Sequence, residues 1–332
     1  MGTADRILLV CSGGGHLRQL AGFAERIGYP PERQVWVTFK NALSESLLEG
    51  RTVVYAPFTA PRDLKNFARM AAMSTGVFRR FRIVEAVSTG SSPAVAFLPQ
   101  ARLRGIPTHY IESAARADGP SMTGRIISRV PGIQTYTQYP EWADEKWAYR
   151  GSIFDEFEAG PVEEQTRTPR RAVVSVGTQE GYPFTSMLEA VVPLLADMDE
   201  VLYQTGDADV SDLGIEGRES VPHAELLDAM RNADVVISHS GVGAALSALE
   251  AGKHPLLIPR TAERHEHIDG HQIQVARELT RRQLATMREP HALSWSDLVD
   301  AANRSVHRTS PPPFTLTRKK PPAWAEPSPA GR

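Results

Sequence analysis

The sequence predicts an α/β protein made of two doubly wound parallel sheets that face one another across a cleft. Three observations predict it. Short, continuous apolar runs recur along the whole chain, the pattern of strands covered on both faces. Helical stretches separate them, so the strands are joined by crossovers and run parallel. A polar stretch, "FEAGPVEEQTRTPRR" at 157–171, interrupts the alternation midway, and a fresh apolar run begins at Ala172.

Taken in order, the strand candidates are 6–12, 33–39, 51–57, 83–90 and 106–113, then 171–178, 199–206, 233–240 and 254–260. Residues 92–104 show how a helix between them is marked: Ser92 can cap it and Pro93 sits in its first turn. The organisation that follows is a Rossmann-like domain over 1–155, a linker over 156–171 and a second Rossmann-like domain over 172–308. The proline-rich residues 309–332 read as a loosely packed tail. Ligands of such sheets bind beyond the C-terminal strand ends, where the strand order reverses, so both sheets would feed one cleft.

Composition excludes several classes. The 332 residues are 41% hydrophobic and 23% charged, enough for one large or two ordinary globular domains. A single cysteine, Cys11, rules out a disulfide scaffold and fits a reducing compartment. The apolar run near the N-terminus is too short for a secretory leader or a membrane span, so a cytoplasmic location is expected. The net charge of −2 hides an asymmetry: residues 1–150 carry 19 Lys and Arg against 12 Asp and Glu, the remainder 18 against 27. A basic first half suggests an anionic partner on that side; no nucleic acid is expected. Within it, residues 62–84 hold six basic residues and one acidic one among Leu, Phe, Met and Val. That segment is either an amphipathic face for anionic lipid or a solvated basic helix.

Chemistry concentrates at strand ends. In "SHSGVGAALSALEAG" a strand runs into a helix opening near Val242. Ser240 can cap that helix, and Gly241 and Gly243 let a ligand approach the backbone. Free amides at a positive dipole end make an anion site, and the expected anion is a diphosphate. "VGTQEGYPF" places Gly177 and Thr178 in a second close-approach turn, with Phe184 packed at the next helix. In "CSGGGHLRQL", Gly14 and Gly15 follow the first strand, and His16 opens a helix at the cleft wall, where an imidazole suits a general base. In "YIESAARADG", Glu112 at a strand end is the alternative base or an orienting carboxylate, beside Ser113 and Arg116. A salt bridge to Arg116 is its bland alternative. The run "ERHEHIDGHQ" gathers His265, His267 and His271 with Glu263, Glu266 and Asp269. Two histidines two apart in a loop complete no closed ligand set, so no metal is expected. Imidazoles, carboxylates and amides hydrogen-bond hydroxyls well, so His267, Asp269, His271 and Gln272 are candidates for reading a sugar.

Together these stretches resemble a known family. "CSGGGHLRQL", "STGSSPAVAFLPQARLRGIPTHYIESAARADGPSMTGR" and "GSIFD" look like the acceptor-binding subunit of bacterial exopolysaccharide glycosyltransferases. That subunit is similar to the membrane-anchored half of the eukaryotic enzyme adding the second N-acetylglucosamine to dolichol diphosphate. "VGTQEGYPF" and "SHSGVGAALSALEAGKHPLLIPRTAERHEHIDGHQ" look like the donor-binding partner, within glycosyltransferase family 28. The resemblance implies a GT-B fold and transfer with inversion from a UDP-sugar, held by the second half, to a lipid-diphosphate or other glycan acceptor on the first. It implies no essential metal or cofactor, and peripheral attachment to the inner face of the plasma membrane. Gly14, Gly15, Ser113 and Arg116 would serve the acceptor; Gly177, Thr178, Ser240, Gly241, Val242 and Gly243 would serve the donor. Where many members hold the ribose with a glutamate, this chain has Ser247, and Glu250 lies about one turn further on. A UDP-sugar 2-epimerase on the same scaffold, or a non-catalytic subunit of a polysaccharide assembly complex, are the alternatives.

Overall fold

The computed structural model describes residues 4–59, 64–162, 167–178, 181–261, 264, 266 and 270–318. The first half supplies the strands β1 (Arg6–Cys11), β2 (Gln34–Phe39), β3 (Thr52–Ala56), β4 (Ile83–Gly90), β5 (Thr108–Ile111), β6 (Gln134–Thr137) and β7 (Trp147–Tyr149). They form one parallel sheet in the order β3-β2-β1-β4-β5-β6-β7. Its helices are α1 (Gly15–Ile27), α2 (Ala42–Leu47), α3 (Leu64–Arg80), α4 (Ser92–Leu103) and α5 (Met122–Ile127). The linker contains β8 (Phe157–Ala159). The second half adds β9 (Arg171–Ser175), β10 (Glu200–Gln204), β11 (Gly217–Arg218), β12 (Val235–His239), β13 (Leu256–Ile258) and β14 (Thr286–Met287). These form a second parallel sheet, β11-β10-β9-β12-β13-β14. Around it lie α6 (Thr185–Val191), α7 (His223–Asn232), α8 (Val242–Glu250), α9 (His271–Arg281) and α10 (Trp295–Ala302). A last strand, β15 (Val306–Arg308), returns to pair antiparallel with β8.

Both sheets reverse their strand order between the first strand and the fourth, at β1/β4 and at β9/β12. Chains leaving those strands diverge, and the crevice so opened is where such sheets bind ligands. The long apolar strands form because each is covered on two sides: Ile7 to Cys11 are all fully buried, as are Val236 and Ile237. Helix α8, "VGAALSALE", is apolar nearly all round, as befits a helix enclosed by protein. It lies between the halves. Leu17, Leu20 and Phe23 of α1 share one core with Val242, Ala245, Leu246 and Leu249 of α8 and with Val275 and Leu279 of α9. The halves therefore meet along packed helices rather than across an open gap.

Three expectations need correction. Ser91, not Ser92, precedes α4, and its side chain makes no capping bond. The apolar side of α3 is not free for lipid: Met70 and Val77 are buried against the first sheet, while Lys65, Arg69, Arg79 and Arg80 face solvent. The chain from Thr309 is not loose over 309–318. Phe314 and Leu316 are buried, and the Phe314 ring centre lies 4.7 Å from that of Phe23, tilted, and 5.7 Å from that of Tyr136, edge to face. Arg318 ends this strap on the buried Glu85, donating from Nε at 2.7 Å and from Nη2 at 3.0 Å. Burial would raise the Glu85 carboxyl, but His109 and Arg318 hold it down to about 2. A proline-rich composition does not separate a strap from a disordered tail; the two large apolar side chains do.

Truncating Phe314 to alanine leaves a cavity among rings that cannot all collapse, at a cost of about 3–5 kcal/mol. Denaturant unfolding of Phe314→Ala checks this, and a loss below about 1 kcal/mol would show the strap to be an ornament on a finished core.

Candidate active site

The site is built from helix starts. Helix α1 begins on Gly14, α8 on Gly241 and α9 on Gly270; none of the three has a side-chain cap or an acidic residue in its first turn. Elsewhere in the chain α2, α5 and α10 are capped by Asn41, Ser121 and Ser294. The first amides of a helix have no partner within it. Helices α4, α6 and α7 also lack a side-chain cap, so it is the meeting of two uncapped starts that marks this place.

Helices α1 and α8 start side by side. A methyl group on Gly15 would stand 3.2 Å from the Gly243 nitrogen, and one on Gly243 would stand 3.4 Å from the Gly15 Cα. A methyl at 15 would press on the Gly243 amide, while one at 243 would sit at the edge of ordinary contact. The close approach leaves two positive dipole ends opening on one space. Ser240, expected as the cap of α8, is not one: Gly241 takes that place, and the buried Ser240 Oγ has no hydrogen-bond partner. Val242 is buried at the helix start.

His16 stands at this junction. Its Nδ1 lies 2.6 Å from the Thr89 carbonyl, which can only accept, so Nδ1 carries the proton and Nε2 keeps its lone pair. Thr89 Oγ1 returns a bond to the His16 carbonyl at 2.8 Å. The ring lies against Gly90, where φ is +109° and a methyl would meet Cε1 at 3.0 Å. Burial pushes the imidazole down to about 4; the Thr89 bond opposes this, and the charges of His271 and Arg116 add to it. His271 and Arg116 are thus near enough to act on His16, one from each half. At neutral pH the site offers an uncharged proton acceptor within reach of the Arg116 charge.

Glu112, the alternative base, is committed elsewhere. Its Oε1 accepts from Tyr110 OH at 3.1 Å and the Ser113 amide at 3.0 Å; its Oε2 accepts from the Ser121 amide at 2.9 Å and Ser121 Oγ at 3.0 Å. Four donors saturate a carboxylate, and burial pushes this one up. Glu112 shapes the 113–121 loop, and Arg116 is not its partner among these bonds. Ser113 is buried in the same network, its Oγ accepting from Gln19 at 3.2 Å.

In the second half, Gln272 is buried and its Oε1 accepts from the Arg260 amide at 3.1 Å. Glu250 is ion-paired with Arg18 of the first half, so the expected ribose contact is occupied by a protein partner. Thr178 is exposed and Gly177 has φ +82°. His267 and Asp269, with Glu263 and His265, lie outside the described residues.

Sequence reading missed three residues. Gln19, 1% exposed, donates to Gly15 O at 3.0 Å and accepts from the Ala114 amide and Gln138 Nε2, both at 2.8 Å. It ties the His16 helix to the 113–115 loop. His239 fills the space between the switch-point turns: methyls on Gly177 or Gly241 would meet its ring at 2.6 and 2.5 Å. Those glycines therefore make room for a histidine. Arg18 is the third. The signal was in the quoted stretches, but polar residues inside a helix look alike until the partner helix is in place. A cavity of about 610 Å³ lined by Arg167, Arg170 and Arg171 together with Asp199, Glu200 and Asp234 opens at the start of β9, the end of the sheet away from this chemistry.

Comparison with known proteins bears on the geometry. Residues 171–309 match the glycosyltransferase family 28 C-terminal domain. A stretch of 58 residues is 41% identical to the UDP-N-acetylglucosamine transferase subunit ALG13 of Yarrowia lipolytica, over 18% of this chain. The match spans only 28% of that relative's length. Among solved structures the fold is similar to MurG of Acinetobacter baumannii, with a TM-score of 0.57 and 15% identity over 90% of this chain and 93% of that one. It is likewise similar to the glycosyltransferase SnogD of Streptomyces nogalater, at 0.59 and 19% over 90% and 92%. The chain has the GT-B fold, two parallel-sheet α/β domains, as the sequence led us to expect.

His16 titrates, by this geometry, near pH 4 rather than near the usual 6.5. A folded-state pKa below the unfolded one means stability from this group is complete above about pH 6.5 and is lost as pH falls toward 4. Histidine ring resonances followed by NMR check it; a His16 midpoint above 6 would contradict the buried, carbonyl-bonded imidazole. Independently, Gly15→Ala should weaken UDP binding about tenfold by pressing its methyl on the Gly243 amide, measured by calorimetry.

Proposed function

We propose that the chain is an inverting glycosyltransferase that moves a sugar from a UDP-sugar to a glycan acceptor. One observation carries the reading: the uncapped start of α8, abutting that of α1, lies beside an imidazole whose Nε2 is free. The family 28 match over the half that contains α8, and the likeness to a UDP-N-acetylglucosamine transferase subunit, support a UDP-sugar as donor.

The residues divide the work as follows. Amides of Val242 and Gly243 and the dipole of α8 hold the donor diphosphate, and their field strengthens its grip as negative charge develops there. An acceptor hydroxyl enters from the first half. Its proton passes to His16 Nε2 as its oxygen attacks the anomeric carbon. The bond from that carbon to the diphosphate oxygen breaks, and UDP leaves with the electron pair. Attack opposite the leaving group inverts the anomeric centre. Thr89 holds the imidazole in the tautomer this needs. Arg116 would meet an anionic acceptor group, and His271 the donor sugar. His267 and Asp269 remain candidates for the same sugar.

The acceptor is read as lipid-linked glycan of a surface polysaccharide, reached from the membrane surface. No helix among the described residues is long and apolar enough to cross a membrane. The support lies on α4 and α5, where Leu103 is 85% exposed, Met122 71% and Ile126 40%. Arg102, Arg104, Arg125 and Arg129 are exposed alongside them. Apolar side chains ringed by cations suit an anionic bilayer better than water.

His16→Ala should lower transfer about 10²–10⁴-fold while UDP binding stays near wild type. The donor is found by thermal shift with a panel of UDP-sugars, since a tight ligand raises the melting temperature by mass action. UDP-N-acetylglucosamine incubated without acceptor should give no epimer; epimer formation would favour a 2-epimerase. Sedimentation with phosphatidylglycerol vesicles should capture the protein at low salt and release it near 0.5 M, roughly where screening is complete. Equal failure to bind at all salt concentrations would remove the membrane reading.

A further inference from the structure

Beside the shared apolar core, a buried guanidinium bridges the two halves. Arg18 of α1 is 8% exposed. Its Nη1 donates to Ser247 Oγ of α8 at 3.0 Å and lies 2.9 Å from His223 Nε2 at the start of α7. Its Nη2 pairs with Glu250, the last residue of α8. All three partners belong to the other half. Arginine has no acceptor, so His223 Nε2 accepts and its proton sits on Nδ1. Burial first, and then the Arg18 charge, hold His223 below its ordinary pKa, consistent with a neutral ring. Ser247 Oγ in turn donates to Gly243 O at 3.0 Å, carrying the contact back to the first turn of α8.

The charges are oddly placed for helices. Arg18 is a cation near the positive end of α1, and Glu250 an anion at the negative end of α8. Neither favours its own helix dipole. Each makes sense only through the other, across the boundary between the halves.

We propose that Arg18 is a positioning residue that locks α1 against α8 and so fixes the distance between the His16 imidazole and the amides of Val242 and Gly243. This rests on the reading of those amides as the diphosphate site. Each half keeps a core of its own, one under the first sheet around Val35, Val37 and Phe97, the other under the second around Val174, Phe184 and Leu298. Loss of the lock therefore loosens the helix starts before it loosens the sheets.

Amide hydrogen exchange on the full chain, with and without UDP, tests this. In the wild type UDP slows exchange over 241–245. Absence of that protection contradicts the diphosphate reading alone, since it involves no substitution. Without UDP, Arg18→Gln raises exchange over 18–21 and 245–248, where the first amides bonded within each helix lie, by about tenfold or more and leaves β4 and β10 as in wild type. Glu250→Gln loosens the same two segments to a lesser degree. The double variant is no looser than Arg18→Gln, because removing one partner already silences the pair. The proposal is overturned by a rise under about twofold in those segments, by an equal rise in β4 and β10, or by additive effects in the double variant. Should Arg18→Gln not fold, Glu250→Gln decides, its carboxylate being 30% exposed: the two helix starts loosen selectively or the proposal falls.

Discussion

The close approach of two helix N-termini at Gly15 and Gly243 is the constraint on which the rest depends. Each end carries about half a positive charge. Two such ends some 5 Å apart, at an effective dielectric constant of about 20, repel by roughly 1 kcal/mol. A fold that holds them together must recover this, and it does so through the core α1 and α8 share and through the Arg18–Glu250 pair. A diphosphate of two negative charges at the same place would gain several times the repulsion by the same arithmetic. On the proposed reading, a diphosphate would turn a mild repulsion into a net attraction.

That constraint explains the distribution of glycine and histidine around the cleft. Gly15 and Gly243 set the helix spacing, Gly90 makes room for the His16 ring, and Gly177 and Gly241 make room for His239. Both imidazoles bond a backbone carbonyl at the strand end of their own sheet, His16 to Thr89 and His239 to Ser175. The two halves thus repeat one device at their switch points, an imidazole pinned by a carbonyl beside a glycine-started helix. In the first half the pinned ring is buried enough to stay neutral well below pH 7.

Much of this was legible in the sequence, and the exceptions are instructive. Each of the nine expected strands is present, with ends within about three residues of the expected ones, because burial on both faces leaves a short apolar run. Strands β6, β7, β8, β11, β14 and β15 were missed, being too short or too polar to show a period. Glycine-rich strand ends and His16 could be picked out because those residue types are rare at such points for other reasons. What could not be read was commitment. Glu112 and Ser240 have the right chemistry for base and cap, yet one is saturated by four donors and the other sits one residue early. Glu250 looked available to a ribose, and only the packed helices reveal Arg18 beside it. The strap at 309–318 depends on a groove made by residues some 180 to 290 positions earlier, which local composition does not record.

A crystal structure of the chain with UDP tests the central claim most directly. The account predicts diphosphate oxygens about 3 Å from the amide nitrogens of Val242 and Gly243, with His16 Nε2 opening on the space beside them. Diphosphate density in the cavity at the start of β9, or anywhere that leaves those amides facing solvent, would contradict it.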